Sequence, residues 1–144
     1  MKNVHDVLKR KGDDIWSIRP VDTVFDAISM MADREVGALL VMIDGQLVGI
    51  ISERDYARKV ILQDKNSKQT RVSEIMTRNV ITVTSEDHIE DCVVLMKQHH
   101  IRHLPVIDAG IVAGVVSLRD LFTTIIDEQA FTIEQLEHYI RGEA

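Results

Sequence analysis

The sequence predicts an α+β fold: two β-α-β-β-α units packed about a pseudo-twofold axis into one module. Three observations predict it. The chain repeats itself at an offset of 65 residues, both copies switch between helical and extended patterning at the same places, and the strand segments are apolar almost throughout. A length of 144 residues suits one compact domain, or two half-size units sharing a core.

The repeat aligns 18–61 with 83–126 without a gap, and eleven of the 44 pairs are identical. They include Asp22/Asp87, Met31/Met96, Gly49/Gly114, Ser52/Ser117, Arg54/Arg119 and Asp55/Asp120. Chance would give roughly three.

Each copy opens with a short extended stretch, "WSI" or "ITV". Asp22 or Thr23 can cap the helix that follows, with Val24, Ala27, Ile28 and Met31 on one face. Asp87 can cap its twin, with Ile89, Cys92, Val93 and Met96 at the same i, i+3, i+4, i+7 spacing. The apolar strands "ALLVMI" and "HLPVI" come next, then the turns "DG" and "DAG", which suit a hairpin. The return strands "QLVGIIS" and "IVAGVVS" lead into second helices after Ser52 and Ser117. Strands this apolar need cover on both faces. One copy of about 45 residues can hardly provide it, and two packed together can.

Repeat 1 is expected over 4–63, repeat 2 over 64–126 and a helical tail over 127–144. The segment 62–79 links the copies, and its "VSEIM" echoes "VHDVL" at 4–8, so each repeat should have a short helical lead-in. Thr132 with Gln135 reads as a capping box for a last helix, and Phe131 with Leu136 as its hydrophobic staple. Ile133, Leu136 and Ile140 form a stripe that either packs on the module or meets another chain.

Composition narrows the function. A net charge of -6 disfavours nonspecific binding to nucleic acid. Basic residues gather between Arg54 and Arg78, which leaves room for a local anion site. The single Cys92 fits a reducing, cytoplasmic setting. The first residues lack the apolar core of a signal peptide, and no apolar run reaches membrane-spanning length, so no membrane partner is expected.

"GIISERD" and "GVVSLRD" carry the chemistry. Taken alone, Ser52 with Asp55, and Ser117 with Asp120, fit a capping box. A capping box does not ask for Arg54 and Arg119, yet both copies have the arginine. The motif also directly follows a buried strand, so a helix N-terminus with free N–H groups would stand at the edge of the core, a setting that suits phosphate. A carboxylate can accept both hydroxyls of a ribose, while serine and arginine can donate to phosphate. Capping and binding are compatible.

With "IRHLPVID" and "VSEIM-T", these motifs make the chain resemble the CBS-domain pair, or Bateman module, over about residues 4–126. The resemblance is to the stand-alone bacterial members. It implies two clefts that bind adenosine nucleotides as regulatory ligands, AMP foremost, with ATP, ADP, NAD or S-adenosylmethionine as alternatives. It also implies a homodimer that signals to an effector protein.

Carried over residue by residue, one cleft joins Ile50, Ser52, Arg54 and Asp55 to Arg102, His103, Leu104 and Pro105. The other joins Val115, Ser117, Arg119 and Asp120 to Gly37, Ala38 and Leu39. Asp55 and Asp120 would take ribose hydroxyls. Trp16, Ser17, Ile81 and Thr82, at the repeat starts, would line the same clefts, although Trp16 equally suits the core. The copies differ: Gly37-Ala38 stands opposite Arg102-His103, and Leu40 opposite Pro105. The first cleft should therefore be more positive and suit a phosphate, and the second roomier and less charged.

Other constellations are weaker. His99 and His103 are four apart, but the helix should end near His100 and Pro105 belongs to a strand, so no metal site is assigned. Cys92 lies on a buried helical face and Asp91 points elsewhere, so no nucleophile set forms with His88. No catalytic residue and no enzyme activity is expected. The competing reading is a nucleotide-independent interaction module with vestigial clefts.

Overall fold

The computed structural model describes residues 2–142. Helix α1 (Val4–Lys11) starts on a capping box in which Asn3 and Asp6 bond each other's backbone N–H. Strand β1 (Ser17–Ile18), helix α2 (Val24–Arg34) and the hairpin β2 (Ala38–Ile43) and β3 (Gln46–Ser52) follow. Helix α3 (Glu53–Tyr56) runs straight into a π-helical turn, Ala57–Ile61. The second copy has the short helix α4 (Val72–Ile75), helix α5 (Ile89–His99), the hairpin β4 (His103–Asp108) and β5 (Ile111–Ser117), and the long helix α6 (Leu118–Ile140). Among the described residues no helix is long and apolar enough to cross a membrane.

The two hairpins are built alike. Both turn in two residues of positive φ, Asp44-Gly45 and Ala109-Gly110, as a type I′ connection requires. Both shift register at the same place, between Val41 and Met42 and between Val106 and Ile107. β1 runs parallel to β2, and Val83 makes the matching parallel bridge to Val106. Helices α2 and α5 end on twin left-handed residues, Glu35 (φ 56°) and His100 (φ 54°), so the second ends where expected.

Each lead-in helix packs on the other repeat. Val4, Val7 and Leu8 of α1 share a core with Ile89, Cys92, Met96, Leu104, Val106, Val116 and Leu121. Val72, Ile75 and Met76 share the other core with Val24, Met31, Leu39, Val41 and Ile51. Backbone hydrogen bonds fasten the exchange: Val4 N–H donates to the Asp87 carbonyl (2.9 Å), and Val72 N–H to that of Asp22 (2.8 Å). This exchange accounts for the glycine that opens each motif. A Cβ on Gly49 would lie 2.8 Å from Met76 Sδ, and one on Gly114 would lie 2.8 Å from Leu8 Cδ2.

Two expected caps are corrected. Thr23 caps α2, but Asp87 does not cap α5: His88 holds that position without a side-chain bond. Asp87 instead accepts the Thr84 N–H (2.8 Å), as Asp22 accepts the Arg19 N–H (3.0 Å). The repeated aspartate closes the turn before each helix. No new helix begins at Thr132 either, because α6 is continuous through it and Thr132 Oγ1 donates to the Glu128 carbonyl (3.0 Å). Nothing in "DEQA" at 127–130 breaks a helix, so the cap signal is overridden. Ile133, Leu136 and Ile140 are exposed on α6, and residues 143–144 lie outside the described residues.

Candidate functional site

Each S-x-R-D motif is a capping box in full. Ser52 Oγ accepts the Asp55 N–H (3.2 Å) and Asp55 Oδ2 accepts the Ser52 N–H (3.0 Å). Ser117 and Asp120 repeat the pair at 3.1 and 2.8 Å. The first N–H of each helix is also taken: Glu53 donates to the Gly37 carbonyl and Leu118 to that of Arg102. The free N–H groups expected at these helix starts are therefore largely used up, and an anion here meets side-chain cations instead.

The boxes stand at two clefts between the repeats. The first, of about 610 Å³, brings together Ile50, Ser52, Arg54 and Asp55 with Ile81, Arg102 and His103. The second, of about 810 Å³, brings Val115, Ser117, Arg119 and Asp120 to Trp16, Gly37 and Ala38. Gly37, Arg102 and His103 border both. Arg54 crosses the first cleft, its Nη1 donating to the carbonyl of His100 at 2.6 Å.

Five of the expected residues lie elsewhere. Leu39 and Leu104 point into the two cores, one residue along each strand from the cleft-facing Ala38 and His103. Pro105 is buried, and its carbonyl accepts the Val83 N–H (3.0 Å). Ser17 and Thr82 are exposed and border neither cleft. Trp16 has both of its expected places: it packs against the repeat 1 core, borders the second cleft, and carries the Arg34 guanidinium 4.2 Å from its ring centroid.

The structure adds residues that motif reading missed. Arg58, Lys59 and Asn79 join the first cleft, and Lys11, Asp14 and Glu35 the second. Lys59 sits one helical turn after Asp55, a spacing legible in the sequence, and pairs with its Oδ1 (3.1 Å). Lys11 pairs with Asp120 Oδ2 (2.7 Å) across a long stretch of chain that no local spacing signals.

The charges around the clefts differ. Arg54, Arg58, Lys59 and Arg102 outnumber Glu53 and Asp55 at the first. At the second, Lys11, Arg102 and Arg119 balance Asp14, Glu35 and Asp120. Burial pushes the Asp120 carboxyl up, but the Lys11 ammonium and the Ser117 hydrogen bonds outweigh it and hold Asp120 below its usual range. Burial holds the His103 imidazole below its usual value and favours the neutral ring, an effect that Asp120 partly offsets. Outside the clefts, the buried Cys92 thiol is pushed up to about 11 by burial and by Asp87, Asp91 and Glu90, so it is a core residue and a poor nucleophile.

Known proteins share this construction. The CBS-domain family model matches residues 4–62 and 72–127. The mitochondrial CBS domain-containing protein CBSX3 of Arabidopsis thaliana is 41% identical over 150 residues, which cover 96% of this chain and 72% of that protein. A protein with CBS domains from Burkholderia ambifaria superposes with a TM-score of 0.87 at 44% identity, covering 89% of this chain and 96% of the other. The CBS-domain pair of protein MJ0100, solved with 5′-methylthioadenosine and S-adenosyl-L-methionine, superposes with a TM-score of 0.77 at 27% identity, covering 86% of this chain and 99% of the other. The family model covers both repeats and the overall fold is shared with these proteins, so the chain belongs to the CBS-domain family.

Proposed function

We propose that the chain is a regulatory sensor that binds adenosine nucleotides in its two clefts, with AMP as the leading ligand of the first, and signals their presence to an effector protein. CBS-domain pairs are regulatory, ligand-binding modules. The observation that carries the finer reading is the pairing of a capped carboxylate, Asp55, with four cations around one cleft between the repeats. That set offers acceptors to a ribose diol and donors to a phosphate. The adenosine ligands of the MJ0100 pair support the same ligand class. ATP, ADP, NAD and S-adenosylmethionine are the alternatives. A ligand touching both repeats shifts the module only if it binds one arrangement more tightly than another.

Thermal-shift measurements with these five ligands test the reading. At least one should raise the melting temperature, and Asp55→Ala or Asp120→Ala should reduce that rise. A flat response to all five, with variants that change stability alone, overturns it.

A second reading rests on α6, where Phe131, Ile133, Leu136 and Ile140 are more than half exposed. Such a face suits a homodimer or a protein partner held regardless of nucleotide. Deleting 127–144 should then abolish association, while nucleotide leaves it unchanged. Association that depends on nucleotide returns the sensor.

A further inference from the structure

In the second cleft Lys11 bonds Asp120, the carboxylate that the adenosine-binding reading assigns to a ribose diol. Its Nζ donates to Asp120 Oδ2 at 2.7 Å and to the Val115 carbonyl at 2.8 Å. Asp120 Oδ2 already accepts the Ser117 N–H, so the oxygen facing Lys11 is doubly engaged. The first cleft is built otherwise. There the lysine on the carboxylate, Lys59, comes from the motif's own helical segment and is anchored on the Ile75 carbonyl at 2.9 Å. With the lead-ins aligned at Val4 and Val72, the counterpart of Lys11 is Asn79, which borders the first cleft without a charge.

We propose that Lys11 determines the specificity of the second cleft, making it select adenosine compounds that carry a phosphate over those that do not. The inference rests on the adenosine-binding reading above. A neutral nucleoside whose diol takes both oxygens of Asp120 competes with Lys11 for Oδ2 and offers the ammonium nothing in return. A nucleotide offers its phosphate, so Asp120 and Lys11 both exchange partners without loss.

The charge balance points the same way. Lys11, Arg102 and Arg119 face Asp14, Glu35 and Asp120 around this cleft. Without Lys11 the acids are in excess, and a phosphate would enter against them. The helix need not move for the exchange. Val4, Val7 and Leu8 hold α1 in the core, and Arg10 Nε donates to Thr124 Oγ1 at 2.9 Å. The Lys11 side chain is 29% exposed, which leaves it room to turn from Asp120 toward a ligand.

Calorimetric titration of the full chain with AMP and with adenosine tests this. An Asp55→Ala background is used to weaken the first cleft, and Lys11, Lys11→Met and Lys11→Arg are compared within it. With Lys11, AMP should bind at least about tenfold more tightly than adenosine. Lys11→Met should weaken AMP, strengthen adenosine and bring the ratio down to about threefold or less, while Lys11→Arg keeps it. If Asp55→Ala lowers the melting temperature, the comparison is made with Asp55 intact, and the change that Lys11→Met, remote from the first cleft, makes in each affinity is read instead. A ratio unchanged by Lys11→Met overturns the role of Lys11 and leaves adenosine binding standing. No binding of either compound, with or without Lys11, overturns this inference together with the adenosine reading of that cleft.

Discussion

His103 closes over Gly37 on the wall common to both clefts: a Cβ added at Gly37 would stand 3.4 Å from Cε1 and Nε2 of the ring. Gly37 has no positive φ, so an alanine there meets contact and not strain. Gly37→Ala should change stability by less than about 0.5 kcal/mol. Gly37→Val should push the ring away and cost about 1–3 kcal/mol, seen as a lower urea midpoint. It should also weaken ligand at both clefts, because one displaced ring borders each.

Gly49 and Gly114 make a sharper test of the exchanged lead-ins. A Cβ on Gly49 meets the Thr77 carbonyl at 3.0 Å as well as Met76 Sδ, whereas the three atoms nearest to one on Gly114 all belong to the Leu8 side chain. Gly49→Ala should therefore destabilise more than Gly114→Ala, by about 1 kcal/mol or more in chemical unfolding. Equal losses would mean that the backbone contact does not matter.

The capping boxes predict a measurable cost of their own. Ser117→Ala should lower stability by about 1 kcal/mol, since the Asp120 N–H then loses its acceptor. Ser117→Asn should recover most of that loss, because asparagine caps as well as serine does. Circular dichroism during urea unfolding reads both.

Acid should act in two windows. Burial holds His103 below its ordinary 6.5, so between the two values the unfolded chain binds the proton that the folded chain refuses. Stability should fall as pH drops through about 6.5, and His103→Gln should flatten that slope. Asp120 works lower on the scale. Its folded value is depressed, so its contribution is intact above about 4 and lost as pH falls through the folded value. Asp22, held down by Arg19, titrates there too. Comparing urea midpoints at pH 5 and pH 3 with and without Lys11→Met isolates the Asp120 share, and the variant should lose less on acidification.

Much of this was legible because the chain states it twice. The hairpin strands, both boxes and the end of α5 at His99 follow from patterning over a few residues, where local spacing and local physics coincide. What escaped depends on contacts between distant segments. The pairing of Lys11 with Asp120 joins residues 109 positions apart. Leu39 and Leu104 look like cleft walls in sequence, but a strand alternates its faces, and only the register shows which neighbour turns inward. Thr132 shows the reverse case, a valid local signal submerged in a helix that has no reason to stop.

The exchanged lead-ins have a consequence for how the polypeptide can be divided. A cut in the exposed stretch around Asp64–Asn66 would separate α1, β1, α2, β2, β3 and α3 from all that follows. Each fragment would then carry the segment that finishes its counterpart's interior, Val4, Val7 and Leu8 on one and Val72, Ile75 and Met76 on the other. Neither piece should reach a native state alone, and mixing them should restore both interiors at once. The molecule is in effect a ready-made pair for split-protein complementation, its two parts clasped by reciprocal donation.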